Sequence, residues 1–551
     1  MALLAALGWL ALPAQRGLAR GRERLLAGDV AAAREALESV HWPGAARRAR
    51  AGLALGRAAR GDDAGSGAAV PALDDLASFE PEALVALALA RRDLAAAWSL
   101  AELLRAGGHP LGPLYAAALL LDRGADEAAR RAAAASPVPL ASRALGARLE
   151  RALAARAATG RPLVLDDSGE PVATRAEDGT LQPLADTDRL AGQVLARVRA
   201  LGLQPAFGPA LRLGVDLELS RIALEALGER QGSIVLVEPR SGEVRAAVTD
   251  ALTARTEPAA AFEQRREPAS IAKLITTAAA YRAGHDADAL IGRMTCTGVE
   301  RYGGHPLWCP WPTGPLAGLD QALAVSCNLA FANLAMELGR ERLLAEYRRW
   351  GFDAAPAELL GAAGRVETLP ERPRQLADLA IGLELTDVTP LHAALLAAVV
   401  ANRGRLAEPR LVSGTCGALG LADAPDPLPP SREVIDPAVA GRLGRAMRAV
   451  VRDGTAAGLE PRGLEVAMKT GTAAAGRAGY HVNYVGYAPV AEPRLAFCVR
   501  ITGRRSSHGV RADAREVTAR LLAALAHRLA ATTGAQRARR PGPAPAPAPS
   551  R

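Results

Sequence analysis

From residue 15 to about 156, apolar positions recur three and four apart, and glycines break the runs. GDVAAAREALESV, LARRDLAAAWSLAELLRAGG and GPLYAAALLLDRGADEAARRAAAA each carry this spacing. They predict short helices joined by short turns, as in a tetratricopeptide-like array of hairpins or an irregular bundle. Residues 157–212 change period. GRPLVLDDSGEPVATRAEDGTLQPL alternates brief β-like runs with Gly, Asp and Pro turns, which suits a linker or a small β-rich platform.

A third region follows at 213–530. GSIVLVEPRSGEVRAAVT reads as a strand, a Pro-Arg-Ser-Gly turn and a returning strand. Helical segments continue to about 455. Three strand-like runs then appear, VAMKTGTA, HVNYVGYAP and LAFCVRI, before the amphipathic helix AREVTARLLAALAHRLA. One early hairpin, three late strands and helices between them predict an α/β (α+β) domain. Its antiparallel sheet joins distant parts of the chain and is flanked by helices. The Pro-Ala-rich stretch 531–551 is expected to be an extended, disordered tail.

Composition narrows the classes. Of the 551 residues, 50% are apolar and 23% charged, which excludes bulk disorder. No stretch of 18 residues is apolar and charge-free enough for a multispanning membrane protein. The N-terminal segment 1–14, MALLAALGWLALPA, is short for a bilayer span. It fits a signal h-region, a truncated anchor or the first helix of the next domain. The net charge is +9, but arginines alternate with acids and aromatics are only 3%, so nucleic-acid binding is not expected. Cysteines stand at 296, 309, 327, 416 and 498 with no CxxC pair, so no structural zinc site is expected. Cys296 and Cys309 share a loop-like stretch, where a disulfide and two unpaired thiols are both open readings.

Among 67 basic residues only Lys273 and Lys469 are lysines; the rest are arginines. Arginine has replaced lysine wherever a generic cation serves. Lysine can lose its proton and arginine does not, so the two survivors are candidates for chemistry. Ser270 stands three residues before Lys273 at the start of SIAKLITTAAAYRAG, a helical run. Positions i and i+3 share a helix face, so hydroxyl and amine can meet. A serine needs a neighbouring base to become a nucleophile, and a lysine held neutral can be that base. The helix N-terminus favours the negative charge that builds during attack. Lys469 begins Lys469-Thr470-Gly471-Thr472 in a strand-like run, where Gly471 lets a ligand or backbone come close. Between the lysines, Ser326-Cys327-Asn328 opens a further helix.

Serine-x-x-lysine, serine-x-asparagine and lysine-threonine-glycine, in that order, resemble the signature of penicillin-binding proteins and serine β-lactamases. VDLELSRIALEAL, IGLELTDVTPLHAALLAAVVANRGRLAEPRLV, VVRDGTAAGL and the VGYAP after KTGTA extend the resemblance over about 213–530. It is most similar to the transpeptidase domain of monofunctional class B, high-molecular-weight penicillin-binding proteins. The N-terminal helical region does not resemble the usual class B platform.

The resemblance implies a D,D-transpeptidase that is also acylated by penicillins. Ser270 would attack a D-Ala-D-Ala stem peptide and Lys273 would be the general base. Ser326 would relay a proton to the leaving amine, and Asn328 would hold the donor amide. Lys469, Thr470 and Thr472 would steer the terminal carboxylate, with Gly471 between them. The oxyanion would lie between the backbone N–H groups of Ser270 and Thr472. No metal or cofactor is implied. Expected partners are peptidoglycan stem peptides, β-lactams and, through the helical region, a glycan polymerase or other envelope protein. The expected location is the outer side of the cytoplasmic membrane. A D,D-carboxypeptidase or β-lactamase on the same fold, and a β-lactam sensor or scaffold, are the alternatives. The absence of a Glu-x-x-Leu-Asn element between SCN and KTG argues against a class A β-lactamase.

Overall fold

The computed structural model describes residues 113–135 in part, 153–154, 163–203 with short breaks, and 210–537. Within the last span 356–357, 417–429, 475–478 and 504–505 are excepted. The expected segment 1–14, most of the helical region 15–156 and the end of the tail lie outside the described residues. The chain divides into two compact units. One comprises Met1–Leu163, Gly414–Asp426 and Arg528–Arg551, and includes the helix Asp126–Ala134. The other, Val164–Ser413 and Pro427–His527, carries the site.

Short strands begin the second unit: β1 (Leu163–Leu165), β2 (Pro171–Arg175), β3 (Leu181–Pro183) and β4 (Ala210–Leu213). β4 runs parallel to β1, and β2 pairs with β3 antiparallel. Between β3 and β4 stands α1 (Asp188–Ala200), a helix that the turn-rich reading of 157–212 did not contain. Its buried face, Leu190, Ala191, Val194, Leu195 and Val198, has helical spacing, which the neighbouring Gly and Pro turns obscured. α2 (Leu217–Leu227) follows, capped by the Asp216 carboxylate, which accepts from Leu219 N at 2.9 Å.

The main sheet has five strands: β5 (Gly232–Val237), β6 (Val244–Thr249), β7 (Ala467–Ala474), β8 (Tyr480–Ala488) and β9 (Leu495–Gly503). The order is β7-β8-β9-β5-β6, antiparallel throughout. The fold is therefore the expected α/β arrangement, with the early hairpin joined to the late strands by Val237–Ala496 pairing. β5 is buried at every position, as a near-continuous apolar run demands.

Helices pack on this sheet directly or through one another. α3 (Lys273–Arg282) follows a 3-10 turn at Ala269–Ala272. α4 (Asn328–Leu338), α5 (Pro373–Ala380), α6 (Pro390–Ala401) and α7 (Pro437–Asp453) come next. α6 is apolar all round and packs against β5, β8 and β9, with Pro390 through Val400 buried. α7 packs on β7. α8 (Ser507–Arg537) buries a stripe of Val510, Ala514, Val517, Leu521, Leu522 and Leu525. It passes the tail boundary expected at 530, because no proline interrupts the chain before Pro541.

One side chain ties the sheet to the segment before Ser270. Arg500 in β9 is fully buried and donates to Asn483 Oδ1 (2.8 Å), Gln264 O (3.0 Å) and Val388 O (2.9 Å). His481 Nε2 donates to Glu267 O at 2.8 Å beside it.

Candidate active site

Ser270 sits in the 3-10 turn that leads into α3, so Ser270 and Lys273 stand one tight turn apart. Ala269 before it is left-handed (φ 53°), and its N–H donates to Gly382 O at 2.8 Å. Such strain costs about 1–3 kcal/mol and persists only where surroundings enforce it. Gly382 is itself left-handed (φ 77°), and a Cβ there would lie 2.3 Å from Ala269 O. The IGLELTDV stretch is thus the brace of the turn.

The signature residues, which come from three segments, gather around one cavity of about 150 Å³. Ser270, Ser326, Asn328, Thr470, Gly471 and Thr472 all line it. β7 is an edge strand, so one of its sides carries no sheet partner and faces the turn. Gly471 lets the two approach, since a Cβ there would sit 2.7 Å from Pro268 O and 3.3 Å from Ser270 N.

Both lysines are fully buried and converge on Ser326. Lys273 Nζ donates to Ser326 O (2.7 Å), Ser326 Oγ (3.1 Å) and Asn328 Oδ1 (2.8 Å), and lies 5.4 Å from the Phe331 ring centre. Lys469 Nζ donates to Ser326 Oγ (2.9 Å) and Thr470 O (2.9 Å). Burial pushes Lys273 down to about 8, near the operating pH of a general base. Burial, and then Lys273 itself, hold Lys469 well below its ordinary range. Two ammonium groups this close in a dry site repel, so the pair favours having at least one neutral member. Ser326 is left-handed as well (φ 58°), and both lone pairs of its hydroxyl are engaged by amines. Its own proton is left for the cavity.

Lys469 does not line the cavity. The β7 residues that do are Thr470, Gly471 and Thr472, while its ammonium turns to Ser326. Thr470 Oγ1 meets Thr455 Oγ1 at 2.7 Å. Thr455 and Arg511 line the cavity and were not singled out from the sequence. Thr455 lies in VVRDGTAAGL, so its signal was present. Arg511, whose buried Nε has no hydrogen-bond partner, was hidden among the many arginines. Among the described residues, no Asp or Glu lines the cavity.

Residues 232–524 match the family described as penicillin binding protein transpeptidase domain. Peptidoglycan D,D-transpeptidase PbpA of Mycolicibacterium smegmatis is 29% identical over 372 residues, covering 59% of this chain and 73% of that relative. The protein of the same name from Mycobacterium tuberculosis is 29% identical over 319 residues, covering 55% of this chain and 59% of the relative. Penicillin-binding protein A of M. tuberculosis, solved as its ceftriaxone acyl-enzyme, shares the fold. Its TM-score is 0.52 at 21% identity, covering 66% of this chain and 98% of that one. The family match spans more than half the chain and contains all three motifs and the whole main sheet, so the chain belongs to the penicillin-binding protein transpeptidase family.

Proposed function

We propose that this chain is a serine D,D-transpeptidase that crosslinks peptidoglycan stem peptides and is acylated by β-lactams. The observation that carries the reading is the convergence of two buried amines on Ser326 Oγ beside Ser270, at the open edge of β7. The relatives named peptidoglycan D,D-transpeptidase support the same substrate class.

The residues divide the work as follows. A stem peptide ending in D-Ala-D-Ala lies along the free edge of β7, as an added strand would. Its carboxylate accepts from Thr470 and Thr472, with the Arg511 guanidinium at the same rim. Neutral Lys273 takes the Ser270 proton as Oγ attacks the penultimate D-Ala carbonyl. The developing oxyanion is met by the backbone N–H groups of Ser270 and Thr472. The C–N bond then breaks, and the departing D-Ala amine receives a proton from Ser326, which Lys273 replenishes. Asn328 aligns the donor amide. An amine of a second stem peptide attacks the ester and loses a proton to the same relay. Ser270 leaves with its hydroxyl restored. Fast hydrolysis would need a base to activate water, and the absence of a carboxylate lining the cavity among the described residues disfavours a β-lactamase.

Peptidoglycan lies outside the cytoplasmic membrane, so this activity places residues 213–530 there. Among the described residues, no helix is long and apolar enough to cross a membrane. We also propose that the region 15–156, which its apolar spacing predicts to be helical, docks an envelope partner such as a glycan polymerase.

Ser270→Ala is expected to abolish covalent labelling by fluorescent penicillin while thermal unfolding stays cooperative. A pentapeptide ending in D-Ala-D-Ala, supplied with an amine acceptor, is expected to yield free D-Ala and crosslinked product. A penicillin adduct that persists in Ser270→Ala and maps elsewhere refutes the nucleophile. Rapid turnover of penicillin, with no crosslink, converts the reading to a hydrolase.

A further inference from the structure

The segment that delivers Ser270 is irregular backbone, and it crosses one face of the main sheet. Gly471 on β7 pairs with Asn483 on β8, and Asn483 pairs with Arg500 on β9. Residues opposite one another in register share a face, and His481, two before Asn483, shares it too. Gln264 O accepts from Arg500 Nη1 (3.0 Å), Glu267 O accepts from His481 Nε2 (2.8 Å) and Asn483 Nδ2 (3.5 Å), and Pro268 O presses on Gly471. The strap therefore passes over β9, β8 and β7 in turn. We propose that His481 is a positioning residue, which with Asn483 and Arg500 sets the Ser270 N–H against the Thr472 N–H and so forms the oxyanion hole.

Each bond has a fixed sense. Arginine only donates, so Asn483 must turn Oδ1 to Arg500 Nε (2.8 Å), and its Nδ2 is left for Glu267. A carbonyl only accepts, so the His481 proton lies on Nε2. His481 Nδ1 is then a buried acceptor with no hydrogen-bond partner. That unpaired atom is a cost, and the bond to Glu267 O is what a histidine supplies there in return. The three side chains are 1%, 0% and 0% exposed, so solvent does not compete for these bonds. Arg266 pairs with Val388 in both directions (3.1 and 2.8 Å), and Val388 O also accepts from Arg500 Nη2, so the strap is held from its other side as well.

The consequence for chemistry rests on the transpeptidase reading above. One oxyanion donor belongs to the end of the strap and the other to β7, so their separation is set by how the strap lies on the sheet. Ala269 between them is left-handed, a conformation that only its surroundings enforce. A strap freed at Glu267 would let Ser270 relax away from Thr472 without emptying the cavity.

The test compares His481→Gln with His481→Asn in penicillin acylation, resolving the dissociation constant of the non-covalent complex from the acylation rate constant. The glutamine amide nitrogen reaches the place of Nε2, whereas that of asparagine stops near Nδ1. The Gln variant should acylate within about fivefold of wild type and the Asn variant about a hundredfold more slowly, both at an unchanged dissociation constant. A merely structural need for a polar side chain predicts the same rate in both. Equal rate constants in the two variants, at any level, overturn the proposal, as does a loss that falls wholly in the dissociation constant. A second measurement needs no variant: nitrogen-15 spectra of the sequentially assigned wild type should show His481 as the Nε2–H tautomer with a slowly exchanging proton. The Nδ1–H tautomer, or exchange as fast as in free histidine, also overturns it. A wild type that forms no adduct on Ser270 refutes the transpeptidase reading and this proposal with it, whereas normal wild-type acylation with equal variants refutes this proposal alone.

Discussion

The two lysines separate by what each nitrogen touches. Lys273 is the proposed proton acceptor, with a lowered affinity for its proton and hydrogen bonds to Ser326 and Asn328. Arginine cannot act as a base, so Lys273→Arg should lose nearly all penicillin acylation. Lys469 supplies a hydrogen bond to Ser326 from a fully buried position. Lys469→Arg should retain measurable acylation but lose about 1–3 kcal/mol of transition-state stabilisation, since the larger head group must displace its neighbours. Second-order acylation rates against one penicillin decide the order, and greater activity in Lys273→Arg would move the base elsewhere. The wild-type rate should rise with pH to a plateau through about 8, because only the neutral amine accepts the Ser270 proton. A flat profile between pH 6 and 9 would contradict this.

At the scale of elements, the strand-turn contact is the sensitive joint. Gly471→Ala places a methyl 2.7 Å from Pro268 O, so β7 and the Ser270 turn must part. We expect acylation to fall at least about tenfold, and unfolding free energy by about 1–3 kcal/mol. Stopped-flow acylation and urea unfolding read the two effects, and wild-type values in both would show that the contact is slack. The elements that frame this joint were legible in the chain. VAMKTGTA, HVNYVGYAP and LAFCVRI alternate or run apolar within clear turns, and they became β7, β8 and β9. The signature lysines were legible because so few lysines exist. What stayed hidden depended on distant neighbours. Nothing near Arg500 announces that it will bond Gln264 and Val388, since arginine is common everywhere in the chain. The inward turn of Lys469 likewise arises only when separate segments pack. α1 was missed because strong turn residues flank its apolar stripe.

For the molecule as a whole, buried bases set the response to acid. His392 accepts Gly364 N–H on Nδ1 (2.8 Å) and donates from Nε2 to Trp350 O (2.9 Å), so it is neutral when folded. Burial lowers both His392 and His481 to about 4, against 6.5 when unfolded. The unfolded chain therefore binds these protons first. Their contribution is intact above pH 6.5 and is lost between 6.5 and 4. Lys273 acts in the same direction at alkaline pH, where the cost of burying its charge fades between about 8 and 10.5. Urea unfolding at pH 4, 5, 6 and 7 should show stability climbing with pH, by a few kcal/mol in all. Equal stability across that range would mean the histidines are solvated. The pairing of Val237 with Ala496 carries one more implication, for the order in which the protein is made. β5 and β6 emerge early from the ribosome, yet the partner that covers the β5 edge is among the last segments synthesised. Until then an apolar strand with an open edge must wait, a species prone to aggregation. The catalytic turn is in the same position, since Arg500 and β7 arrive after it. Nascent chains halted before residue 460 should therefore be protease-sensitive throughout 232–460 and inert toward penicillin, and both properties should change together once residue 503 is free.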